Sequence, residues 1–122
     1  MEAGKTGGIF MCTRNQLNNI SQQMVDIYRN IYGEAVTDIF LYGSYARGDN
    51  SEDSDIDIVA IVKGNRLLLQ DKLRTVWDLS ADICLEHDTV VSPAVIPYDE
   101  FEEYKEVLPY YRNIVKEGLR IG

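Results

Sequence analysis

Apolar side chains recur every three or four residues from Asn15 to about Tyr32, at Leu17, Ile20, Met24, Ile27 and Ile31, a spacing that predicts one buried face of a helix. Gly33 follows as a stop. Asp38-Ile-Phe-Leu-Tyr42 reads as a short strand, and Gly43 punctuates it. Ser44 is placed to cap a short helical turn through Arg47, which Gly48 ends. Asp49 through Ser54 is polar loop, and Asp55 through Val62 is a second strand whose apolar run, Ile58-Val-Ala-Ile-Val62, suits burial.

Gly64 and Asn65 open a long helix with apolar Leu69, Leu73, Val76 and Trp77, continued by Ile83 and Cys84. Thr89 through Ile96 is a third strand, in which Pro93 calls for an edge position or a bulge. Asp99 caps a helix through about Val107, and Pro109 starts a last one ending near Gly118, with Tyr110 and Tyr111 anchoring it to the body. This order predicts an α/β (α+β) domain in which a small sheet is covered by helices. Residues 1–14 read as a flexible leader before a single domain over 15–122. Within the leader, Gly4-Lys5-Thr6 has the end of a phosphate-binding loop but no strand before it.

Composition narrows the function. A chain of 122 residues makes one compact domain. A net charge of −8 and a pI near 4.5 exclude a general nucleic-acid binder, which needs a basic patch. No stretch approaches a membrane span. Cys12 and Cys84 form no paired motif and read as reduced thiols of a cytoplasmic protein.

The chemistry lies between Leu41 and Val62. Strands disfavour Asp, yet Asp55 and Asp57 flank Ile56 at the mouth of an apolar strand. Alternation points both to one face, with Cα atoms about 6.5–7 Å apart. Carboxylates on that base can converge on divalent ions about 3.5–4 Å apart. Hard oxygen ligands favour Mg²⁺ or Mn²⁺, and a cation relieves the repulsion that would otherwise raise one carboxylate's pKa. Upstream, Gly43 lets backbone approach a phosphate, Ser44 offers a hydroxyl and an amide, and Arg47 can reach a phosphate or pair with a carboxylate. Ten residues separate Ser44 from Asp55, enough to turn and return along a neighbouring strand. Phosphate donors and metal ligands then meet at one end of the sheet, the layout of metal-assisted phosphoryl or nucleotidyl transfer.

Gly43-Ser44, ten residues, then Asp55-Ile56-Asp57 resembles the Gly-Ser-x10-Asp-x-Asp signature of minimal nucleotidyltransferases (MNT) in the DNA polymerase β-like superfamily. With Ala46-Arg-Gly-Asp49 and Ser54-Asp-Ile-Asp-Ile58, it looks especially like MNT antitoxins paired with HEPN toxins. The resemblance implies a mixed sheet with helices that binds ATP and Mg²⁺ (or Mn²⁺). Asp55 and Asp57 would be metal ligands, and Gly43 and Ser44 would grip the triphosphate. The implied reaction is transfer of AMP to a hydroxyl of the partner HEPN-type toxin.

The superfamily usually adds a third carboxylate from a later strand, often as general base. Here Ser92 occupies the middle of that strand. Asp82 is the candidate if the strand begins near Ala81, where Ile83 and Leu85 can alternate around it; Asp88 is the alternative. Three functions follow: an adenylyltransferase acting on a protein partner, the same chemistry on a small aminoglycoside-like acceptor, or a non-catalytic antitoxin that acts by occlusion. Tyr28, Tyr32, Tyr42 and Tyr45 read as packing residues rather than base-stacking ones.

Overall fold

The computed structural model describes residues 13–51 and 53–122. The leader, with Gly4-Lys5-Thr6 and Cys12, lies almost wholly outside them. Helix α1 (Arg14–Tyr32) starts on a capping box: Thr13 accepts the Gln16 amide while the Gln16 side chain accepts the Thr13 amide. A short turn at Gly33–Ala35 leads to β1 (Val36–Tyr42), α2 (Ser44–Arg47), β2 (Ile56–Val62) and α3 (Arg66–His87). Then come β3 (Val91–Pro97), α4 (Tyr98–Tyr104), α5 (Pro109–Glu117) and the two-residue β4 (Leu119–Arg120). Asn65 caps α3 by accepting the Leu67 and Leu68 amides.

The sheet order is β3-β2-β1-β4, with β2 and β3 parallel and the other pairs antiparallel, so the sheet is mixed. Alternation splits its side chains between two layers. Ile39, Leu41, Ile58, Ala60 and Val62 pack against Ile20, Met24 and Tyr28 of α1 and Val76 and Ile83 of α3. Val59 and Ile61 pack with Phe101, Tyr111 and Ile114 of α4 and α5. Strand β2 is thus buried on both faces, which is why its apolar run is unbroken. Asp57 belongs to the α4–α5 face, at the end where that cover runs out.

Pro93 does sit on an edge strand, opposite Ile58. Beside it, the hydroxyl of Tyr28, on α1, lies 2.8 Å from the Ile58 carbonyl oxygen and 2.9 Å from that of Ala94, and it accepts the Ala94 amide at 3.1 Å. One buried phenol therefore ties β2 to β3 next to the residue that cannot donate to the ladder. Tyr28→Phe strands the buried amide and is expected to cost about 1–3 kcal/mol. A urea transition read by circular dichroism should show a lower midpoint at unchanged slope.

Several expectations are corrected. Gly43, not Ser44, is the residue before α2, and Ser44 is its first helical residue. Pro97, not Asp99, precedes α4, which ends at Tyr104. Strand β3 begins at Val91, because α3 runs unbroken through His87, with buried Ile83 and exposed Leu85 on different sides of a helix. Asp82 therefore projects from a helix and is exposed, and the strand reading that made it the third acid does not hold. Strand β4 is an addition: Leu119 and Arg120 pair with Leu41 and Phe40 along the other side of β1.

Candidate active site

Two turns bring the site together. After β1 the chain passes through Gly43 with φ +81° and ψ −152°, a conformation essentially reserved for glycine. A Cβ built there would lie 2.6 Å from Oδ2 of Asp57. The Gly-Ser turn and the Asp strand thus meet at one end of the sheet, with the carboxylate seated where a side chain at Gly43 would have been. Gly48, in the left-handed region at φ +84°, closes α2 on its other side.

Asp57 is half-buried and lies in register with Tyr42 on β1 and Ser92 on β3. Asp55, exposed, comes just before β2 and accepts a long hydrogen bond from Ser92 Oγ at 3.4 Å. Burial, and then the charge of Asp55, push the Asp57 carboxyl above its ordinary range. A cavity of about 190 Å³ opens beside Asp57, lined also by Tyr42, Val59, Ser92, Ala94 and Tyr110.

The raised Asp57 has a consequence for stability. An acid whose folded pKa exceeds its unfolded one contributes stability while protonated, and that contribution is lost as pH rises through the folded value. At neutral pH, without cations, the charged Asp57 is a burden on the fold. Asp57→Asn in EDTA at pH 7 is expected to melt at a higher temperature than the unmodified chain. The advantage should fade as pH falls below the ordinary Asp range, which differential scanning calorimetry across pH would reveal.

Arg47 goes elsewhere. Its guanidinium pairs with Asp49 at 3.2 Å and Glu117 at 3.4 Å. It borders a larger cavity of about 700 Å³ between α1, α2 and β4, lined by Leu17, Ser21, Leu41, Tyr45 and Ile121 among others. Neither Asp55 nor Asp57 lines that space. Arg47 thus borders a different cavity from the one beside Asp57.

Asp88, the alternative third acid, closes α3 in the left-handed conformation at φ +51° and is exposed. Among the described residues no three His, Cys, Asp or Glu side chains are placed to hold a metal together, so neither Asp82 nor Asp88 completes a trio. The β3 position beside Asp57 belongs to Ser92. Sequence reasoning also missed Tyr110. Both tyrosines anchor α5, on different partners: Tyr111 is buried against Phe101 and donates to Glu100, while Tyr110 packs its ring on Tyr42 and also lines the Asp57 cavity. The signal available was helical spacing, since Tyr111 and Ile114 share a face that Tyr110 does not.

Two carboxylates fit a divalent cation of the Mg²⁺ type, which commonly takes one or two protein carboxylates and completes its shell with phosphate oxygens and water. The same pair would suit Mn²⁺.

Residues 18–121 match the family described as "Nucleotidyltransferase domain". The chain is 30% identical over 97 residues to "Putative protein adenylyltransferase MJ0604" of Methanocaldococcus jannaschii, covering 80% of this chain and 89% of that protein. It is 33% identical over 73 residues to "Putative protein adenylyltransferase MJ0141" of the same organism, covering 54% of this chain and 72% of that one. Among solved structures, a "putative minimal nucleotidyltransferase" superposes with a TM-score of 0.57 at 16% identity, over 88% of this chain and 94% of its own. A toxin-antitoxin crystal structure with AMP-PNP gives 0.50 at 15%, over 82% and 70%. At such identities the two structures speak for the fold.

Proposed function

Since this chain belongs to the nucleotidyltransferase domain family, we propose that it transfers AMP from ATP to a hydroxyl of a protein partner, with Asp55 and Asp57 as the ligands of Mg²⁺ or Mn²⁺. The observation that carries this reading is the seat of the Asp57 carboxylate against Gly43, which joins the phosphate-side turn to the acidic strand. Gly43 and Ser44 hold the triphosphate in this reading. The bound cation would neutralise phosphate charge and polarise the α-phosphate. Ser92 orients Asp55. Arg47 serves the triphosphate only after leaving Asp49 and Glu117.

A protein acceptor is favoured by the description of MJ0604 as a protein adenylyltransferase, and a HEPN-type toxin by the resemblance of the motif to antitoxins of that pairing. An ATP-consuming reaction of this kind belongs in the cytoplasm, and no described helix is long and apolar enough to cross a membrane.

The test is incubation with α-labelled ATP, Mg²⁺ and a HEPN-type partner. Label on the partner, absent with Asp57→Asn, supports transfer. One observation favours a second reading, in which the chain blocks its partner by occlusion alone: Ser92 lies beside Asp57, and among the described residues no third acid is grouped with Asp55 and Asp57 to hold a metal. Tight binding of the partner with no label would establish that reading instead.

A further inference from the structure

Tyr110 stands at the wall of the Asp57 cavity, at the first turn of α5. Its ring meets that of Tyr42 edge-on, with centroids 5.6 Å apart and planes at 75°. Tyr42 is itself the register partner of Asp57. The helix is fixed from its inner side by fully buried Ile114 and by Tyr111, whose hydroxyl is engaged by Glu100. Tyr28 and Tyr32 likewise spend their hydroxyls on backbone carbonyls. The Tyr110 hydroxyl, by contrast, makes no hydrogen bond among the described residues, and the residue is 44% exposed.

We propose that Tyr110 is a hydroxyl acceptor for the protein's own reaction, so that the chain adenylylates itself on this phenol when no partner supplies a hydroxyl. The inference rests on the nucleotidyltransferase reading above. A cavity of about 190 Å³ is smaller than the roughly 300–1,000 Å³ of ordinary ligand sites, so the phosphate end of a nucleotide, rather than all of it, enters beside Asp57 and next to the phenol. In the step itself, the phenolic oxygen bonds to the α-phosphorus. The bond from that phosphorus to the bridging oxygen breaks, pyrophosphate departs, and the phenolic proton passes to water at the exposed edge of the ring. The product is an AMP phosphodiester on Tyr110, lodged over the carboxylates, and the modification is a single event per chain.

The purified full chain is incubated with ATP and Mn²⁺ without any partner, digested and mapped by mass spectrometry, while calorimetry follows ATP binding in parallel. One AMP group is expected on the peptide holding Tyr110, lost entirely in Tyr110→Phe and retained in Tyr104→Phe, a change at an exposed tyrosine of α4. Label that persists in Tyr110→Phe, sits on another residue, or never forms despite metal-dependent ATP binding overturns the proposal and leaves the nucleotidyltransferase reading intact. Absence of metal-dependent ATP binding removes both.

Discussion

Asp57→Asn is expected to lower nucleotidyl transfer by about a thousand-fold, or roughly 4 kcal/mol of transition-state stabilisation, while leaving the fold intact. The substitution keeps the side chain's size and removes its charge. A bound cation contributes several kcal/mol by stabilising developing charge on the phosphate, and it cannot be held in place by an amide as it is by a carboxylate. Asp57 should matter more than Asp55, because it is half-buried, in register with Ser92 and Tyr42, and seated against Gly43, whereas Asp55 lies exposed before the strand. Initial rates of label transfer, measured beside a melting curve, check the expectation. A variant that transfers AMP at an unchanged rate would remove Asp57 from the chemistry. Combining it with Asp55→Asn should add little, since residues acting on one ion are not additive.

Gly43→Ala should cost about 1–3 kcal/mol of stability from backbone strain and should cut transfer nearly as deeply as the loss of Asp57 itself. Alanine at φ +81° and ψ −152° is forced into a region that L-residues avoid. Its Cβ would also fall 2.6 Å from the Asp57 oxygen, and the flexible carboxylate would yield before the backbone does. The acid would then swing out of its seat in a protein that still folds. Gly48→Ala is the contrasting case. Its φ is +84°, yet nothing lies within 4 Å of the added carbon. That change should cost about 1 kcal/mol and spare transfer. Equal losses of activity in the two variants would show that strain in the turn, not contact with Asp57, is what matters.

Much of this site could be read before any coordinates, because its signals are local. Gly43 and Gly48 bracket four helical residues, and both take positive φ, so the chain announces α2 directly. The run from Ile58 to Val62 is apolar at every position because β2 is the strand covered by a layer on each side. What escaped was set by contacts distant in sequence. Leu119 and Arg120 carry no strand pattern of their own and become β4 only by pairing with β1. The segment around Asp82 alternates for a few residues and equally fits a helix. What decides is the core: Ile83 is buried, Leu85 is exposed, and Cys84 Sγ accepts the Val91 amide across the turn. For Arg47, one turn after Ser44, the sequence leaves open a phosphate ligand or a partner of a carboxylate, and the structure shows carboxylate partners. The structure pairs it with a local acid, Asp49, and with Glu117, seventy positions away, and only the second partner lies beyond what sequence spacing encodes.

The Tyr28 hydroxyl reaches into the sheet from the layer opposite the Asp57 carboxylate and fastens the strand bearing Asp57 to the strand bearing Ser92. The lateral gap between those two strands is therefore gauged by a helix on the other face of the sheet. Drift in the sequence of α1 is felt in the spacing of Asp57 and Ser92, which ties the evolution of an ordinary-looking packing helix to the candidate site on the far side of the sheet.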